Sequence, residues 1–204
     1  MLSTMTASAT PAAGRRTGDS VQRLIDAAVD AFSDKGFHAT STRDIAARAN
    51  MSPAGVYVHF ASKEDLLFQL CQRGHLLALD VVVTARTSGN TPPAQLAAIV
   101  SAFACWHAEH YRTARIVQYE FPHLTPEHRD EVLAVRKQID AVVKDVLLAG
   151  VARGDFDVLD VAVTTLAVQS LTIDVARWYV PGMRRTPQAI GAAYADLALR
   201  LVRA

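Results

Sequence analysis

Tyr57, His59 and Lys63 place a phenol, an imidazole and an ammonium within one short stretch, a few residues after Thr40, Ser41, Thr42 and Arg43. Nothing in the chain orders these groups for catalysis: there is no H-E-x-x-H, no paired carboxylates and no Ser/His/Asp order. What they share is the ability to donate hydrogen bonds. Donors presented from helix ends serve the phosphate oxygens of a nucleic acid. A guanidinium such as that of Arg43 can also fork onto the acceptor edge of guanine.

The elements that must position these groups are written in the same stretch. Ser41 has the chemistry of a helix N-cap, with Asp44 three residues on to complete a capping box. Ile45, Ala46 and Ala49 give that helix an apolar side, and Asn50, which tolerates positive φ, takes the turn. Ser52 caps a second helix with Pro53 at its first position, where the missing N–H costs nothing. Ser62, with Asp65, caps a third. Two short helices, near 42–49 and 53–59, joined by a tight turn form a helix–turn–helix, the geometry that lays a helix in a DNA major groove. Unpaired N–H groups beside Thr40, Ser41 and Thr42 would favour a phosphate. On the recognition helix, Ser52, Pro53, Ala54, Gly55 and Val58 offer small or apolar contacts only, and Gly55 offers none to a base.

The run G-F-x-A-T-S-x-x-x-I-A-x-x-A-x-x-S-x-x-x-V-Y-x-H-F-x-S-K-E-x-L-L, residues 36–67, resembles the TetR family of bacterial transcriptional regulators. The resemblance extends from about Val21 to Leu67. It departs at Asn50-Met51, where the family usually has Gly-Val. It implies that Tyr57, His59 and Lys63 clamp phosphates, that the body encloses an apolar pocket, and that the last two helices pair two subunits.

Composition sets outer bounds. The chain has 204 residues, half of them apolar, and a net charge of +1. That is enough for one or two helical domains, and the molecule is no polycation. Residues 1–63 carry seven basic and five acidic side chains, an asymmetry that permits DNA binding without announcing it. Cys71 and Cys105 match no zinc or redox spacing and read as reduced thiols of a cytoplasmic protein. No signal peptide or membrane span is expected.

Helical spacing continues to the C-terminus and predicts an all-α fold of about nine helices. Residues 1–17 read as a disordered arm, 18–62 as the DNA-binding head, and 63–204 as a ligand-binding and dimerisation body. The fourth helix belongs to both head and body and acts as a rigid connector, with Leu76 and Leu77 expected on its buried side. Polar or aromatic residues stranded on apolar faces are pocket candidates: Phe103, Trp106, His107, His110, Tyr119, Gln169, Thr172 and Trp178. The eighth helix is apolar around its whole circumference and must be covered on all sides. Leu166 and Ile173 on it, with Ile190, Tyr194 and Leu197 on the ninth, predict a four-helix contact between two copies. The cluster Cys105, His107, Glu109 and His110 invites a metal, but Cys105 and His107 face apart on a helix, so no metal or other cofactor is expected. Arg177-Trp178-Tyr179-x-Pro181-Gly182 resembles the same segment in regulators of the same family that answer to acyl-CoA thioesters.

The resemblance implies a homodimeric repressor of a near-palindromic operator on double-stranded DNA, released by a small hydrophobic effector, with acyl-CoA as a candidate. The competing readings are a DNA-binding protein without an effector and a helical metal-dependent hydrolase. Release of DNA by a ligand separates the first from the expectation, and turnover would mark the second.

Overall fold

A computed structural model of the chain describes residues 12–203, with side chains from residue 18 onward. The described residues form nine α-helices, one 3₁₀ turn and no strand beyond a single bridge between Phe156 and Arg203. The arm expected over residues 1–17 falls largely outside this range. From Ala12, however, the backbone is already helical, so Arg15 and Arg16 lie in the first helix and not in a free tail.

The fold divides into two compact units that meet between Leu66 and Leu67. The first contains α1 (Ala12–Ala39), α2 (Thr42–Arg48), α3 (Pro53–Tyr57) and the first turn of α4 (Lys63–Thr87). Its core is Leu24, Ala28, Ala31, Phe32, Phe37, Ile45, Ala46, Val56 and Phe60, all buried. Gly36 breaks α1 near its end with φ 75°, a left-handed value that costs glycine nothing. The break turns Phe37 inward, its ring centroid 5.5 Å from that of Phe32. Asn50 holds the α2–α3 turn at φ 53°, as its side-chain chemistry predicts.

The second unit contains the rest of α4, then α5 (Pro92–Glu109), α6 (Tyr111–Tyr119), the 3₁₀ turn (Phe121–His123), α7 (Pro126–Arg153), α8 (Val161–Trp178) and α9 (Pro187–Leu201). Thr91, Thr125, Asp160 and Thr186 cap α5, α7, α8 and α9, each accepting a hydrogen bond from a first-turn N–H. The main core joins Leu96, Ile99, Val100 and Phe103 of α5 to Val143, Val146 and Leu147 of α7, Val168 of α8 and Ala195 and Ala198 of α9. Gly191 lets α9 lie directly on the α5 backbone, because a Cβ there would overlap the Ser101 carbonyl oxygen.

One expectation about α4 fails. Leu76 and Leu77 are about half exposed, and the buried stripe runs instead through Leu67, Leu70, Cys71, Ala78 and Val82. By length and composition α4 is also apolar enough to cross a bilayer, although half of that stretch is buried against neighbouring helices.

Candidate DNA-binding and effector sites

The head builds its surface from the ends of α2 and α3. Ser41 caps α2: its Oγ accepts from the Asp44 N–H at 3.1 Å, and its own N–H donates to Asp44 Oδ2 at 2.8 Å. The Ser41 N–H and the Ser41 hydroxyl, which donates to the same Oδ2 at 2.8 Å, together with Lys35 3.5 Å away, lower the Asp44 carboxyl from 3.8 to about 2. A carboxylate already occupies the α2 N-terminus, so the phosphate seat expected beside Ser41 is filled from within. Ser52 caps α3 by accepting from the Gly55 N–H at 3.1 Å.

Thr40 is a correction. It is buried, and its hydroxyl donates to the Ala31 and Gly36 carbonyls at 3.1 and 2.8 Å. It closes the broken end of α1 and presents no side chain to DNA. Lys63 is likewise held inside the head. Its ammonium donates to the Phe37 and Thr40 carbonyls at 2.7 and 2.8 Å and lies 4.3 Å from the centre of the Phe37 ring. Orphan carbonyls at a helix end attract a cation in this way. Two of its three donors are therefore committed, against its expected use as a phosphate clamp.

The remaining head candidates do share an exposed face. Arg43, Ser52, Ala54, Tyr57 and Val58 are exposed, and Thr42, Gly55 and His59 are half-buried. The Tyr57 hydroxyl lies 3.2 Å from Thr42 Oγ1 and ties α3 to α2. Arg43 makes no hydrogen bond or ion pair among the described residues, which leaves its whole guanidinium available for an external acceptor.

The body contains a partly open cavity of about 500 Å³, lined mostly by apolar side chains from α4 to α8. Of the pocket candidates, Phe103, Trp106, His107 and Gln169 line it. The other four do not. His110 and Tyr119 are exposed, and His110 stacks on the outer side of Trp106 at 4.8 Å. Thr172 is buried and spends its hydroxyl on the Gln169 carbonyl at 2.8 Å. Trp178 packs near Tyr194, ring centroids 6.5 Å apart, beside the small cluster of Ala104, Val175 and Ile190.

One dimerisation candidate is corrected, and two others also line the cavity. Ile190 is buried within its own subunit, whereas Leu166 and Ile173 line the cavity. Leu166 nonetheless stays exposed with Val163, Leu197 and Leu201, so an apolar face of α8 and α9 is uncovered.

Sequence reasoning missed the polar end of the cavity. His75 and Arg136 line it from α4 and α7, and the Arg136 Nε–H donates to His75 Nε2 at 2.8 Å. His75 Nδ1 lies 2.7 Å from the Cys71 carbonyl. A carbonyl can only accept, so Nδ1 carries the proton and the ring is neutral. His107 repeats this arrangement with the Phe103 carbonyl at 2.9 Å. Burial is the main reason that both rings fall from 6.5 to about 4. The available signal was His75 itself, a polar residue on the buried stripe between Cys71 and Ala78.

Among the described residues no group of His, Cys, Asp and Glu is arranged to hold a metal ion.

Two family models match. One, described as bacterial regulatory proteins of the tetR family, covers residues 24–70. The other, a tetracyclin repressor-like C-terminal domain, covers residues 89–202. A relative in Mycobacterium tuberculosis, the HTH-type transcriptional repressor KstR2, is 32% identical over 183 residues, 86% of this chain and 89% of its own. A tetR-family regulatory protein from Rhodococcus RHA1 superposes with a TM-score of 0.86 at 38% identity, over 90% of this chain and 97% of the other. The structure of the ketosteroid transcriptional regulator KstR2 of M. tuberculosis gives 0.82 at 27% identity, over 90% and 95%.

Proposed function

Because this chain belongs to the TetR family of bacterial regulatory proteins, we propose that it is a ligand-responsive, DNA-binding transcriptional repressor that acts in the cytoplasm as a homodimer. The observation that carries the reading is the pairing, in one chain, of an exposed helix–turn–helix face with a largely apolar cavity in a separate unit. Arg43 and the small residues of α3 read base edges, and Tyr57, His59 and Thr42 hold the backbone. Paired heads require half-sites about one helical turn, roughly 34–36 Å, or a multiple apart.

The cavity selects a compact apolar effector, in the class of sterol-ring or acyl thioesters. The mycobacterial relative carries the name of a ketosteroid regulator, and the Arg177–Gly182 segment points to thioesters. Exposed Lys137 beside the cavity supplies a cation for the polar part of such a molecule. The effector works through its preference for the state that does not bind DNA. The α4 helix begins in the head and contributes His75 to the cavity, so it is the element through which occupancy is transmitted.

The test is fluorescence anisotropy of labelled duplexes from promoter DNA titrated with ligand-free protein. Nanomolar binding that weakens steeply with salt is expected. Indifference to every duplex at low ionic strength would end the reading.

A further inference from the structure

Two of the polar side chains that line the cavity, Gln169 and Arg136, keep N–H donors without a partner among the described residues. Gln169, on α8, is nine-tenths buried and its Nε2 has no hydrogen-bond partner. Arg136, on α7, is half-buried, and among the described residues it makes one hydrogen bond, to the neutral His75 ring, and no ion pair. Its guanidinium also lies 4.2 Å from the centre of the Phe121 ring, a weaker substitute for an anion. A guanidinium has five N–H donors, and an imidazole lone pair uses one of them. A buried donor left without a partner is destabilising, the more so when it is charged. Asp140, one turn along α7, lines the same cavity but forms no ion pair with Arg136 within 4 Å.

We infer that the cavity ligand carries an acceptor oxygen, a carboxylate or a thioester carbonyl, that is received jointly by Arg136 and Gln169. This rests on the reading of the cavity as the effector site. The apolar walls (Ala78, Phe103, Val117, Leu133, Ile139 and Ile173) take the hydrocarbon part. The oxygen takes donors that His75 does not use. The hydrogen bond to His75 Nε2 holds the Arg136 guanidinium from α4, so it positions the group that receives the ligand.

The experiment is titration of the purified full-length chain with decanoate, decanoyl-CoA and decan-1-ol, followed by tryptophan fluorescence, since Trp106 lines the cavity. Arg136→Met and Gln169→Leu run beside the wild type, with thermal melts to check folding. The wild type should bind at least one of the two acceptor probes. Arg136→Met should weaken that probe about 10- to 100-fold, the range for a hydrogen bond to a charged group, and should weaken decan-1-ol by less than about threefold. A loss confined to decanoate assigns the oxygen to a free acid, and one confined to decanoyl-CoA assigns it to a thioester. Gln169→Leu should show the same selectivity and carries the test if Arg136→Met does not fold. Equal losses for all three probes, unchanged affinity for the acceptor probes, or no binding of either by the wild type would overturn the inference. Duplex binding by ligand-free wild type is measured separately, so failure here and failure of the regulator reading are distinct results.

Discussion

At the scale of single residues, the head separates side chains that build it from side chains that face outward. Lys63 belongs to the first group. Lys63→Met keeps the stem against Phe37 but removes both bonds to the Phe37 and Thr40 carbonyls. It should destabilise the head by about 1–3 kcal/mol in urea melts, while the salt slope of DNA binding stays unchanged. A slope lower by about one charge would instead return Lys63 to the phosphate clamps. The cavity histidines make an acid prediction. Both are held neutral, with pKa values lowered from 6.5 to about 4. The unfolded chain therefore binds more protons between about pH 6.5 and 4, and stability is lost as pH falls through that window. His107→Gln should flatten the loss by up to one proton in the pH dependence of the unfolding free energy, and an unaltered slope would show that His107 titrates normally.

At the scale of elements, the helix starts were legible because each is a local chemical event. The Ser41–Asp44 box, Ser52-Pro53, Thr91-Pro92, Thr125-Pro126 and Thr186-Pro187 all stand where their residue types place them. What a single sequence does not show is partnership at a distance. Thr40 looks like a helix-start hydroxyl until α1 breaks at Gly36 and offers it carbonyls. Arg136 and His75 stand 61 positions apart, and only the packing of α7 on α4 joins them. Ile190 and Leu197 share one apolar stripe, yet Ile190 is covered by Ala104 and Ala108 of α5 and Val175 of α8, whereas Leu197 stays exposed. That packing yields a test. Gly191→Ala must push α9 off the Ser101 carbonyl and should cost about 1–3 kcal/mol. Gly55→Ala meets only ordinary contacts, 3.4 Å to Met51 Cε and to Ser52 Oγ, and should raise stability by up to about 1 kcal/mol through helix propensity. Paired melts of the two variants read both, and effects of the same sign would contradict the packing described.

At the scale of the whole molecule, exposed apolar side chains on α8 and α9 call for a second copy of the chain. Leu197 is 47% exposed in its own subunit, so Leu197→Glu should leave helicity intact yet yield monomers by sedimentation. A persistent dimer would place the interface elsewhere. Pairing matters because a single small head, with few base-reading side chains, gains its selectivity from two half-sites held at fixed spacing. The most direct measurement is selection of bound duplexes from a random-sequence pool by ligand-free protein, followed by sequencing. The account predicts enrichment of an inverted repeat whose half-site centres lie about one helical turn, or a multiple, apart, and loss of that enrichment with Leu197→Glu. A pool that stays random at low ionic strength, or an enriched site without two-fold symmetry, would contradict it.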